Sequence, residues 1–118
     1  MLKRKWIFIS FYIFIFSFPV FSQVSRQFLF EHYNTSNGLS NDNVFSIIQD
    51  SYNYIWIATS DGLNRFDGYD FKQYKNIPGD STSLANDLII DNNGLYLDRK
   101  NRLWIGTANG ISRYLPET

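Results

Sequence analysis

The chain has no cysteine, one histidine, one methionine and three prolines among 118 residues. Without cysteine there is no disulfide framework, no thiolate nucleophile and no lipobox for lipid attachment. With His32 as the sole imidazole, a zinc-type His/Cys cluster is excluded. His32 stands beside Tyr33 in a short apolar run, where it reads as a surface or half-buried polar residue and not as a catalytic base. The seven glycines are dispersed among turn dipeptides, so no glycine-rich phosphate loop is present. Neither sign of charge dominates, with eleven basic and eleven acidic residues. Beyond residue 22 no segment shows helical periodicity.

The N-terminus has its own signature. Lys3, Arg4 and Lys5 form a basic cluster, and Trp6 to Phe18 is apolar apart from Ser10 and Ser17. Pro19 breaks the run, and Val20-Phe21-Ser22 leads into Gln23. This pattern predicts a secretory signal peptide over residues 1–22, cleaved between Ser22 and Gln23. An uncleaved anchor is the alternative, but Trp6 to Phe21 spans 16 residues, short of the ~20 that cross a bilayer as a helix. Removing the three leader cations leaves eight basic against eleven acidic residues. That charge gives no reason to expect nucleic acid as a partner, and no membrane partner is expected for the mature segment.

What the chain does contain is one motif twice, at an offset of 48 residues. Residues 50–66 read DSYNYIWIATSDGLNRF and residues 98–114 read DRKNRLWIGTANGISRY. Asp50, Asn53, Trp56, Thr59, Gly62 and Arg65 align with Asp98, Asn101, Trp104, Thr107, Gly110 and Arg113. Each copy opens on an Asp that starts a turn and an Asn that tolerates left-handed backbone. A β-branched and aromatic run follows, and its contiguity predicts a strand covered on both faces. Asp61-Gly62 and Asn109-Gly110 then signal hairpins. Together these predict strands near residues 44–49, 54–59, 63–66, 71–75, 95–97, 102–107 and 111–114. Gln27 to Tyr33 also reads as a strand. A repeat of this length points to an all-β array, with β-propeller blades the leading form. Two blades cannot close a ring, so the chain is expected to be part of a larger propeller. Its first repeat covers about residues 28–75 and its second about 84–116.

The motif resembles the two-component regulator propeller repeat. The lead-in Gly38-Leu39-Ser40-Asn41-Asp42-Asn43-Val44 is similar to the start of the first such repeat in hybrid sensor histidine kinases. Residues 66–74 are similar to the inter-repeat hairpin, and Pro78 to Leu84 to the entry of the next repeat. Departures are Asn53 and Asn101 where the family usually has Gly, and Ala58 in place of another Gly. Leu39 to Trp56 spans 17 positions while Leu84 to Trp104 spans 20. Three extra residues are therefore expected around Asp91-Asn92-Asn93-Gly94, splitting a strand or forming a bulged loop.

The resemblance implies the N-terminal portion of a periplasmic sensor, followed in its parent by a β-sandwich, a membrane helix, a kinase core and often a DNA-binding output domain. It implies an oligosaccharide released from a complex glycan as ligand, further repeats of the same polypeptide as neighbours, and a dimeric parent. The chain itself has no phosphoacceptor histidine box, and neither catalytic residues, a cofactor nor a metal is expected. A secreted propeller lyase or glycosidase, or a small freestanding protein that forms a ring from several copies, are the alternatives. Asp67 and Asp70, like Asp42 and Asp87, read as turn carboxylates and not as acid/base pairs. Asp91 to Gly94 lacks the alternating ligands and final Glu of a calcium loop. Trp56 and Trp104 read as core residues before sugar platforms, and the repeated Arg65 and Arg113 as caps on a neighbouring strand.

Exported protein recovered from the cell envelope is expected to begin at Gln23 on N-terminal sequencing. An intact Met1 in the membrane fraction would show an uncleaved anchor instead.

Overall fold

The computed structural model describes residues 19–116. The chain divides into two units, Met1–Phe30 and Glu31–Thr118. In the first, residues 19–30 are exposed and carry no regular secondary structure. The apolar run of the expected export segment falls on residues 1–18, outside the described residues.

The second unit is built from seven short strands. A 3-10 turn at Thr35–Asn37 precedes β1 (Val44–Gln49), β2 (Ile55–Thr59), β3 (Gly62–Phe66) and β4 (Phe71–Tyr74). Then come β5 (Leu95–Leu97), β6 (Leu103–Thr107) and β7 (Gly110–Arg113). They form two antiparallel meanders, β1-β2-β3-β4 and β5-β6-β7. Each boundary lies within one residue of the sequence expectation. Gln27 to Tyr33 is the exception, since it forms no strand. Its composition suits a strand, but a strand exists only by pairing, and no described edge pairs with it.

The hairpins depart from expectation in one detail. Of Asp61-Gly62 and Asn109-Gly110, only the glycines take positive φ, 108° and 98°. The turns are therefore not the form with two left-handed residues. Each ends in a left-handed glycine that opens the next strand, the arrangement of a one-residue bulge. Asn53 and Asn101, at φ 66° and 58°, do take the left-handed backbone expected of them.

The two sheets pack through unlike faces. Trp56, Ala58 and Leu63 line one face of the first sheet; Leu103, Ile105 and Thr107 line the alternate face of the second. These apolar residues meet in one core with Leu84, Ile89 and Leu95. The repeat makes the asymmetry visible. Leu63 is 2% exposed but its counterpart Ile111 is 73% exposed. Conversely Ile105 is buried while its counterpart Ile57 is half-buried. Each sheet meets the other through one face. The opposite face of the first sheet is covered in part, with Thr59 and Asn64 buried and Ile55 and Ile57 half-buried, so the expectation of strands covered on both faces holds there only in part.

The inserted residues sit between two buried anchors. In the first sheet Val44 pairs with Thr59 and Ile47 with Ile57, with a bulge at Phe45. In the second Ile89 bridges Thr107 and Leu95 pairs with Ile105. The second span is three residues longer, and Asn92 and Asn93 turn it through φ 51° and 81°. Gly106 N–H donates to the Gly94 carbonyl at 2.8 Å, and Ile90 N–H to the Gly106 carbonyl at 3.0 Å. The loop is thereby pinched at its base. A Cβ on Gly94 would collide with the Ile90 carbonyl oxygen and stand 2.7 Å from Ile89 Cγ2.

Trp56 is 1% exposed and Trp104 is half-buried. Trp56→Ala is expected to cost ~3–5 kcal/mol in urea unfolding of residues 23–118, and Trp104→Ala clearly less. Equal losses would mean that a further surface covers Trp104 in solution.

Candidate functional site

The repeated Asp is the centre of each outer sheet end. Asp50 Oδ1 accepts Tyr52 N–H at 2.9 Å and Tyr54 N–H at 3.0 Å, while its Oδ2 accepts Trp56 Nε1–H at 2.8 Å. Asp98 repeats this with Lys100 N–H, Arg102 N–H and Trp104 Nε1–H at 2.9, 2.9 and 3.0 Å. The Arg102 guanidinium also pairs with Asp98. These donors, the Trp104 indole first, hold the Asp98 carboxyl well below the usual carboxylate range. The sequence placed Asp at a turn, but the indole bond six residues on was not foreseen. Its signal is the fixed Asp-to-Trp spacing.

The remaining signature residues have local tasks. Thr59 Oγ1 donates to the Gly62 carbonyl at 2.9 Å and accepts Asp61 N–H at 3.1 Å. Thr107 does the same with Gly110 and Asn109. Arg65 stands opposite Trp56 in the ladder, and Arg113 opposite Trp104. The Arg65 guanidinium lies 4.5 Å from the Tyr54 ring centre, and its Nη1 donates to Tyr114 Oη at 3.2 Å. It therefore ties the first sheet to the second. Arg113 lies 5.5 Å from the Trp104 ring.

Sequence reading missed Asn64. It is fully buried, accepts Ser40 N–H at 2.9 Å and donates Nδ2–H to Ser40 Oγ at 2.8 Å. Ser112 takes its place in the second repeat, accepting Ala85 N–H at 3.0 Å. The lead-in loop of each repeat is thus pegged to its third strand. No motif announces this, because the two side chains differ.

Between the two outer sheet ends lies a cleft of about 550 Å³. Trp56, Tyr54 and Arg65 form one wall and Leu97, Leu103 and Tyr114 the other. Arg65, Lys72, Lys100, Arg102 and Arg113 bring five cations to it, against Asp50 alone among carboxylates. Trp56, Tyr74 and Tyr114 form a three-ring cluster, with the tyrosine ring centres 5.7 and 4.7 Å from Trp56 and 5.6 Å from each other. Trp56 is a packed core residue. The exposed ring at the cleft rim is Tyr52.

Other carboxylates serve turns. Asp67 Oδ1 accepts Tyr69 and Asp70 N–H, both at 2.8 Å, and the Asp70 bond foremost lowers its pKa. Asp42 accepts Thr35 N–H and Asp87 accepts Asn76 N–H. Asp91 accepts Asn92 N–H. His32 is exposed. Among the described residues no group of three His, Cys, Asp or Glu could hold a metal ion, and no helix is long and apolar enough to cross a membrane.

With this geometry in hand, the comparisons with known proteins are specific. The two component regulator propeller family matches residues 38–61 and 81–109. Histidine kinase P4 of Formosa agariphila is 42% identical over 77 residues, 64% of this chain and 6% of that protein. The extracellular domain of the hybrid two component system BT3049 from B. thetaiotaomicron aligns at TM-score 0.58 and 30% identity. That alignment covers 71% of this chain and 13% of the other. The corresponding domain of BT4673 from the same organism shares the fold at TM-score 0.55 and 22% identity, over 64% of this chain and 10% of that one. The chain spans a small part of each of these three relatives.

The Asp98 geometry sets a pH dependence. Its folded pKa lies below the unfolded value of ~3.9, so its stabilising contribution is full above about pH 4 and is lost as pH falls toward the folded pKa. Asp98→Asn removes that contribution. Wild type is expected to be the more stable at pH 7, with the gap in urea midpoint closing between about pH 4 and pH 2. A gap that stays constant with pH would assign the effect to packing alone.

Proposed function

Because this chain is built from repeats of the two component regulator propeller family, we propose that it is the N-terminal part of the ligand-sensing propeller of a hybrid two-component histidine kinase. It lies in the periplasm, ahead of a membrane-anchored kinase. The observation that carries the reading is the pair of in-register repeats, together with the 30% identity to an extracellular domain of a hybrid two component system. The 42% identity to a histidine kinase points the same way.

The ligand is a glycan-derived oligosaccharide, and the cleft favours an acidic one. Of the five cations there Arg102 is paired with Asp98, which leaves four against Asp50, and Arg in particular pairs with carboxylate or sulfate through two parallel bonds. The exposed Tyr52 ring offers an apolar face for a sugar ring.

Calorimetric titration of the full-length extracytoplasmic region with neutral and uronate-bearing oligosaccharides tests this. The acidic series is expected to bind more tightly, with affinity falling as salt rises. Lys100→Glu at the cleft rim is expected to weaken acidic ligands about tenfold or more and to leave folding intact. Equal binding of the variant would place the ligand elsewhere, and no binding of any oligosaccharide would overturn the ligand class.

A further inference from the structure

We propose that Asn101 is a positioning residue of the cleft. Its side-chain oxygen takes the one amide of the neighbouring turn that Asp50 leaves over, and this bond holds the two lips of the cleft at a fixed spacing. The bond stands on geometry alone; its effect on ligand rests on the reading of the cleft as the binding site.

The amides of the two turns can be followed one by one. In the first, Asp50 Oδ1 accepts Tyr52 and Tyr54 N–H, and the Asp50 carbonyl accepts Asn53 N–H at 3.2 Å. Ser51 N–H remains, and it donates to Asn101 Oδ1 of the second sheet's turn at 3.2 Å. In the second turn, Asp98 Oδ1 accepts Lys100 and Arg102 N–H, and the Asp98 carbonyl accepts Asn101 N–H at 2.9 Å. Arg99 N–H remains there, and it has no protein partner among the described residues. Each turn thus satisfies itself except at its second residue, whose amide is left for another element.

Burial of the two asparagines follows the bond. Both hold left-handed backbone, φ 66° at Asn53 and 58° at Asn101. Glycine takes φ of this sign without steric cost, so the backbone alone does not call for asparagine. What asparagine adds is an acceptor. Asn101, bonded to the first sheet's turn, is half-buried, whereas Asn53 is exposed and its side chain has no protein partner among the described residues.

The bond crosses the cleft. Asp50, Tyr52 and Tyr54 stand on one lip and Lys100, Asn101 and Arg102 on the other. Tyr52 directly follows Ser51, and Lys100 directly precedes Asn101. The bond therefore sets the spacing between the exposed rim ring and a rim cation. Both of those side chains are exposed, so core packing does not restrain them. A second tie, Arg65 Nη1 to Tyr114 Oη, joins the same two sheets through other strands.

Two substitutions remove the bond from either side and spare the turns. Asn101→Gly keeps the left-handed turn and deletes the acceptor. Ser51→Pro deletes the donor at the second position of a turn, where proline is favoured. In the full-length extracytoplasmic region, hydrogen exchange resolved to single amides is expected to show Ser51 N–H slowed about tenfold or more against the unstructured chain. Asn101→Gly is expected to remove that slowing while Tyr52 and Tyr54 N–H keep theirs, and Asn101→Asp, which retains an acceptor, to preserve it. Calorimetric titration with trigalacturonate is expected to give about fivefold weaker binding for Asn101→Gly or Ser51→Pro, with no further loss when the two are combined. Exchange of Ser51 N–H at the unstructured rate in the unmodified protein would overturn the bond. Losses of affinity that add in the double variant would assign each residue to its own turn and overturn the proposal, as would unchanged affinity in every variant. If the unmodified protein bound no trigalacturonate while Asn101→Gly still freed the Ser51 amide, the ligand reading would fall and the bond between the lips would stand.

Discussion

In each repeat one carboxylate, Asp50 or Asp98, accepts two turn amides and an indole N–H at once. The rest of the blade depends on that convergence. A tryptophan is the largest filler available for a sheet interface, but its N–H must find a partner when buried. Leaving it unpaired costs about 1–3 kcal/mol. An Asp in the preceding turn solves this with a half-buried carboxylate whose charge is met by several N–H donors. The same carboxylate fixes the turn, and so the register of the strand that carries the indole. Arg65 and Arg113 then lie across the fixed rings, and Arg65 reaches on to the next sheet.

The interface that results is heterologous. The Trp56 face of one sheet receives the Ile105 face of the next, while the mirror-image partners, Ile57 and Ile111, are left half or fully exposed. Unlike faces in contact generate an extending series, which ends only by closing into a ring or by capping. Minor bonds repeat the step from sheet to sheet. Gly62 N–H donates to the Asp87 carbonyl and Ser51 N–H to Asn101 Oδ1. The exposed half of each repeated pair is therefore a consequence of position in the series and not of residue type.

This explains what could be read from the sequence and what could not. Strand positions followed from local signals: Asp and Asn turns, β-branched runs and Gly-terminated hairpins. Burial of Trp104 did not follow, because identical residues 48 apart are covered or not according to which neighbour is present. The Gln27 to Tyr33 segment illustrates the same limit, since composition gives strand propensity while pairing gives a strand. Of the candidate site, the repeated Asp, Thr and Arg were visible by their recurrence. Asn64 was hidden, because its counterpart is Ser112 and the peg is a function shared by unlike side chains. The cleft was hidden too, as its cations come from four separate segments.

The inserted loop shows where such a scaffold tolerates change. At the Asp end, three or four bonds converge on one carboxylate, and the spacing from Asp to Trp is identical in both copies. At the other end of the second sheet three residues enter between Ile89 and Leu95 without moving either from the core. The accommodation is paid in side-chain volume: Ile90 Cδ1 comes within 2.9 Å of where a Cβ on Gly106 would stand. In the first repeat, which lacks the insertion, that position is the fully buried Ala58. Gly106 thus leaves the room that the Ile90 side chain occupies in the repeat carrying the insertion. The difference in length between the two repeats falls at the end of the sheet remote from the carboxylate, while the bonds from the turn amides and the indole to that carboxylate are the same in both.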